Sequence, residues 1–201
     1  MRPHYSITAQ PDAEPITLAQ ASEHLRVDST EDQAYISDLI PVAREYFDAL
    51  TGRASAIATY VMTAETWEDL FYQIGRIENT SAYVIPLYRT PLLSVTSVKY
   101  YAPDADTLTT MSASDYRVIT TAEPGMIQLK NSPPSVDDRI DAIQITFTAG
   151  TDCAPAMSKH AIRMLVAHFY ENRAPVAYAS TYEIPFTLKA LIENQKIGGF
   201  F

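Results

Sequence analysis

The sequence is poor in cysteine, glycine and positive charge, and each shortage closes off a class of protein. Its 201 residues hold a single cysteine, Cys153. One thiol makes no internal disulfide and no multi-cysteine zinc site. The glycines are Gly52, Gly75, Gly125, Gly150, Gly198 and Gly199. They never cluster into a loop that could cradle a phosphate. Lys and Arg total 15 against 24 Asp and Glu, a formal net charge of -9. A sequence-independent clamp on nucleic acid needs clustered cations, so this balance argues against one. It leaves room for a protein that surrounds DNA without gripping it. Long apolar runs are also missing. The longest, near residues 161–170, is about half of what a bilayer span requires. The opening MRPHYSITAQPDAEP lacks the apolar core of a signal peptide. No membrane partner is expected.

What is present reads as α+β. Residues 1–16, with three prolines, predict an extended arm. In TLAQASEHLRV, Thr17 and Gln20 have the spacing of a capping box. A second capping box, Thr30 with Gln33, predicts a helix running to Leu50 and closed by Gly52. On its wheel Val42, Tyr35, Tyr46, Leu39, Leu50, Ala43, Ile36, Phe47 and Ile40 form one arc. Arg44, Ser37, Asp48, Glu45 and Asp38 form the other, where Pro41 is expected to bend the helix with its ring toward solvent. From residue 56 the text turns β-branched, aromatic and alternating, as in AIQITFTAG, with turn residues between the segments. That predicts an antiparallel sheet or small barrel, with a hairpin connection in TTAEPGMIQL. Helix returns near Pro155 and runs through AIRMLVAHFYENR until Pro175. A last short helix is expected over about 185–196. The domain plan is an arm at 1–16, a helical body at 17–55 and 151–196, a β-rich insertion at 56–150 and a tail at 197–201.

The third helix poses a question. Ala161, Leu165, Phe169, Ile162 and Val166 make a core stripe, yet the far side carries Arg163, Met164, Ala167 and His168. So little charge on an outer face predicts a second cover, from this chain or from a neighbouring subunit. Chemistry is harder to find. There is no HExxH and no GxSxG. His160 and His168 lie about 12 Å apart along one helix and cannot share a metal. His4 and His24 have no ligand partners near them in sequence. Asp137, Asp138 and Asp141 lack calcium-loop spacing. Cys153 reads as a small residue before a helix. Neither cofactor nor metal is expected. The 13 tyrosines suit either an interface or strands.

Four stretches in order, ITLAQASEHLRV, DLIPVAREYFDALTGR, IPLYRTPLLSVTSVKYY and ITFTAGTDCAPAMSKHAIRMLVAHFYENR, resemble the head–tail connector, adaptor or head-completion family of tailed bacteriophages and gene transfer agents. The resemblance spans roughly residues 15–192. It implies a structural protein with no reaction and no cofactor, located in the virion neck and assembled in the bacterial host cytoplasm. Such proteins form a ring, commonly of twelve subunits, beneath the portal. The ring extends the DNA channel, through which DNA passes without tight binding, and receives a stopper or tail-terminator protein. Three sets of residues then acquire expected roles. Arg163, Met164, Ala167 and His168 would face a neighbouring subunit. Asp38, Glu45 and Asp48 would face channel or solvent. Ile197, Gly198, Gly199, Phe200 and Phe201 would dock on the portal. Two other readings make different demands. A small enzyme would gather His168, Asp152 and Cys153 at a pocket, and a monomeric binding module would hold a peptide or sugar on its β part.

Overall fold

The computed structural model describes residues 3–71, 83–173 and 186–198. The expectations placed on Gly75, Pro175, Pro185, Gly199, Phe200 and Phe201 lie outside these residues. The chain divides into two compact units, Met1–Gln10 with Ile57–Gly150, and Pro11–Ala56 with Thr151–Phe201.

The first unit is β-rich. Its strands are β1 (His4–Ala9), β2 (Ala58–Ala64), β3 (Tyr83–Leu87), β4 (Leu92–Tyr101), β5 (Leu108–Thr110), β6 (Tyr116–Ile119), β7 (Gly125–Leu129) and β8 (Ile143–Ala149), with a single helical turn α1 at Trp67–Leu70. One antiparallel sheet has the order β1-β2-β8-β4-β5 and a second the order β3-β7-β6. Strands β2 and β8 bury every other residue. Their register sets Ala58 opposite Ala149, Tyr60 opposite Phe147 and Met62 opposite Ile145. The pleat therefore puts one apolar row of each strand into the core, and the Tyr60 and Phe147 rings stack at 5.6 Å. Gly125 sits where β7 passes β4, and a Cβ there would collide with the Leu92 side chain. Strands β6 and β7 form the hairpin expected around Pro124-Gly125.

The expected N-terminal arm is in part a strand. β1 pairs antiparallel with β2, and Tyr5 anchors it by setting its ring edge-on to Phe147 at 6.3 Å. The Tyr5 hydroxyl accepts a hydrogen bond from the Tyr88 amide at 3.3 Å. Burial pushes this phenol up to about 12. Three prolines suggest extension, and pairing is what an extended segment does when an open edge is available.

The second unit is helical: α2 (Leu18–Leu25), α3 (Gln33–Thr51), α4 (Ala156–Glu171) and α5 (Phe186–Gln195). The capping box at Thr17 forms, with Thr17 Oγ1 accepting from the Gln20 amide and Gln20 Oε1 from the Thr17 amide, both at 3.2 Å. The box expected at Thr30 and Gln33 does not. Helix α3 begins with Asp32 at its N-cap and has no side-chain cap bond. The reason is that Asp32 is engaged elsewhere, taking hydrogen bonds from Tyr170 and Arg173. Pro41 lies inside α3, half-buried rather than turned out to solvent, and Gly52 closes the helix in the left-handed region at φ 75°. The core joins Ile36, Ile40, Ala43 and Phe47 to Ala161, Ile162, Leu165 and Val166, with Leu188 and Ile192 from α5.

The buried face of α3 is rotated from the one its wheel predicts. Val42 is 50% exposed and Tyr46 is also exposed, while Arg44 is 2% and Asp48 6% exposed. Burial of a charge is tolerable only with a partner, and each has one. Arg44 Nε donates to Glu14 Oε2 at 2.8 Å. Asp48 Oδ1 accepts from Ser55 Oγ at 2.6 Å and from its amide at 3.1 Å. Both partners lie outside the helix, Glu14 ahead of α2 and Ser55 just beyond α3, invisible to a wheel.

Candidate functional site

The residues expected to matter fall on the helical unit, and they do not form one site. On α4, Arg163, Met164, Ala167 and His168 are all half-buried. They lie away from the buried row Ala161, Ile162, Leu165 and Val166. Met164 packs partly against the unit's own core. His168 is engaged at the helix end, where Asn172 Nδ2 donates to the His168 carbonyl at 2.8 Å and lies 3.5 Å from its Nδ1. Phe169, expected in the core, is only half-buried and meets the Tyr46 ring edge-on at 5.8 Å. The same rotation of α3 that exposes Tyr46 leaves Phe169 with a partner at the rim.

Two polar features beside this row were not legible in sequence. His24 of α2 and His160 of α4 come together with ring centroids 6.1 Å apart. Burial first, then the positive charges of His160 and Arg163, hold His24 below its usual value. At the other end of α4, Tyr170 Oη donates to Asp32 Oδ2 at 2.6 Å and Arg173 Nη2 to Oδ1 at 3.0 Å. The Arg173 guanidinium lies over the Tyr35 and Tyr170 rings at 4.6 and 4.5 Å. Only proximity in space joins these groups, so spacing along the chain carries no signal of them.

The three acids assigned to channel or solvent separate. Asp38 and Glu45 are exposed. Asp48 is not, being held under Ser55 as described, and the expectation for it is corrected. The tail also divides. Ile197 is 5% exposed and its amide donates to the Thr51 carbonyl at 3.0 Å. Arg53 Nε donates to the Gln195 carbonyl at 2.8 Å. These bonds fasten the end of α5 to the end of α3, so Ile197 belongs to its own unit's core and is not free to dock elsewhere. At Gly198, by contrast, an added Cβ would meet nothing within 4 Å.

Nothing among the described residues has the layout of a reaction centre. His168 lies three turns along α4, about 18 Å from the helix start that follows Cys153 and Asp152. A cleft of about 450 Å³ in the β unit runs between Tyr100, Met111, Asp115, Leu129, Asn131 and Pro134, with no histidine or cysteine in its walls. No group of three or more His, Cys, Asp or Glu among the described residues is placed to hold a metal ion. No helix there is long and apolar enough to cross a membrane.

This α+β arrangement recurs in solved structures. A chain from "Neck of empty GTA particle computed with C6 symmetry" is similar at 18% identity and a TM-score of 0.72, over 96% of this chain and 95% of that one. A chain from "Virion of native gene transfer agent (GTA) particle" matches at 19% identity and 0.70, with the same coverage. A chain from "Neck of native GTA particle computed with C12 symmetry" matches at 16% identity and 0.63, over 95% and 96%. No curated protein sequence matches the chain significantly. The family model of the head completion protein matches residues 14–181. The chain therefore belongs to the head completion protein family.

Proposed function

We propose that the protein is a structural adaptor in the neck of a phage or phage-like particle, one subunit of a ring between portal and stopper or tail terminator. The observation that carries this reading is the family match over residues 14–181. Its support from shape is a fold shared, over nearly the whole chain, with chains of gene transfer agent necks, one of them computed with C12 symmetry. A ring of twelve fits that symmetry. The protein performs no reaction and uses no cofactor in this role, and it joins the virion in the host cytoplasm.

Within the ring, the outer row Arg163, Met164, Ala167 and His168 faces the next subunit. Asp38 and Glu45 face the channel or solvent. A net charge of -9 per copy keeps DNA from adhering as it passes. The portal-docking segment is shortened to Gly198–Phe201, because Ile197 is committed to its own unit. Negative-stain imaging and native mass of the purified chain, alone and with a portal preparation, test the reading. Rings are expected in one or both. Met164→Glu should fold, by circular dichroism, and fail to assemble. A chain that remains single in both preparations sinks the adaptor reading.

A further inference from the structure

The basic groups on the seam between α2 and α4 carry the inference furthest. The chain is acidic, yet here three groups able to carry positive charge converge. His24 and His160 are both exposed, with ring centroids 6.1 Å apart. Arg163, one turn beyond His160, is half-buried, and its Nε–H is shut off from solvent with no acceptor among the described residues. A buried donor left unpaired costs free energy that an arriving acceptor recovers. Turning the guanidinium outward by one rotamer would offer Nε–H and Nη–H together, the fork that grips a carboxylate at two points. We propose that His24, His160 and Arg163 form a receptor for carboxylates of the adjoining copy of this chain, as one half of the ring contact.

This inference rests on the ring reading above and adds its chemistry. The occupant follows from charge. Each copy has nine more acids than bases, and away from this seam its helical unit exposes Glu31, Asp38 and Glu45. A second copy is thus a ready source of carboxylates, whereas its own basic seam would be repelled. The contact is consequently head-to-tail, basic face against a different, acidic face, the kind that builds a ring where its rotation closes and does not build two-fold dimers. It also couples assembly to protons. The charged groups that lower His24 are His160 and Arg163 of α4, both on the cationic side, while Glu23 beside it on α2 is exposed to solvent. In the free chain they and burial disfavour the imidazolium. A docked carboxylate favours it, so association takes up a proton and tightens as pH falls through the histidine range.

Sedimentation velocity of the full chain at pH about 8 and about 6 tests this, since histidine titrates between them. Self-association is expected to be about tenfold tighter at the lower pH, within the usual span of coupling between two sites, and to weaken in high salt. The double variant His24→Gln/His160→Gln should lose the pH dependence, and Arg163→Gln should weaken assembly at both. Both histidines are exposed, so the double variant decides the matter even if Arg163→Gln misfolds. Self-association that ignores pH, together with a double variant that behaves as the parent, overturns the receptor. If Met164→Glu still blocks assembly in that case, the ring reading stands alone. A chain that never self-associates, with or without portal, overturns both. Duplex DNA bound by the parent and lost in Arg163→Gln, with self-association unchanged, would reassign the cluster to phosphate and also overturn the proposal.

Discussion

The two units of this protein solve the same problem, burying a face, by different rules. In the β unit the pleat decides. Alternate residues of β2 and β8 point to opposite sides, and the apolar ones are the buried ones. In the helical unit the buried arc of α3 has no such fixed edges. Its boundary moved to include Arg44 and Asp48 because Glu14 and Ser55 were there to meet them. Strand burial is thus a property of the segment, whereas helix burial at the margins is a property of its neighbours.

Aromatic truncation sets that difference at its largest. Phe147 is fully buried between Tyr60 and Tyr5. Phe147→Ala should cost about 3–5 kcal/mol through the cavity it leaves. Phe169→Ala, at the rim of α4, should cost about 1–2 kcal/mol, the range of an ordinary substitution. Urea denaturation measures both. Equal losses would mean that Phe169 is as much core as Phe147 and that the wheel reading of α4 was right after all.

The buried charge on α3 offers the next test. Glu14→Ala leaves Arg44 without its main partner and should cost about 1.5–3 kcal/mol, the worth of a hydrogen bond to a charged group. Replacing both, as Glu14→Leu with Arg44→Met, should restore much of that, since a buried pair often does little better than apolar neighbours of its size. A double variant as damaged as the single would show that Arg44 is needed for more than its pairing. Truncation separates two parts of the tail by a similar amount. Removing residues 197–201 should cost about 1.5–3 kcal/mol, the burial of one isoleucine. Removing 199–201 should change stability by less than about 0.5 kcal/mol and weaken portal attachment. A short truncation that binds portal as well as the full chain would end the docking role.

Much of the fold was legible because it rests on local signals. The change of period at residue 56 and again after Gly150 marks the β segments, and Thr17 and Gly52 mark helix ends by side-chain and backbone requirements of their own. The strand at His4–Ala9 was missed because nothing in an extended segment says that an edge awaits it. The Thr30 capping box was overread: its spacing is a local rule, and Asp32 took the position because Tyr170 and Arg173 hold it there. The seam of His24, His160 and Arg163 was beyond sequence reading, since its histidines are 136 positions apart (24 to 160) and meet only when α2 packs on α4.

The smallest effect expected contrasts two half-buried acids, one in each unit. Asp32 and Asp141 both have carboxyls held below the usual 3.8, Asp32 first by the Tyr170 hydrogen bond and then by Arg173, Asp141 by Arg139. A carboxylate lowered in the folded state contributes stability at pH above 3.8, and that contribution fades as pH falls through its folded value. The size of the loss depends on how much of the interaction the unfolded chain retains. Asp141 and Arg139 are two positions apart, so they remain neighbours after unfolding. Asp32 meets Tyr170 and Arg173 across 138 and 141 positions, and unfolding removes both partners. Asp32→Asn should therefore flatten the acid limb of the stability profile, measured by urea denaturation between neutral pH and about pH 3. Asp141→Asn should leave that limb nearly as it is. An Asp32→Asn profile that tracks the parent down the acid limb would mean that solvent screening leaves the Tyr170 and Arg173 bonds without effect on stability.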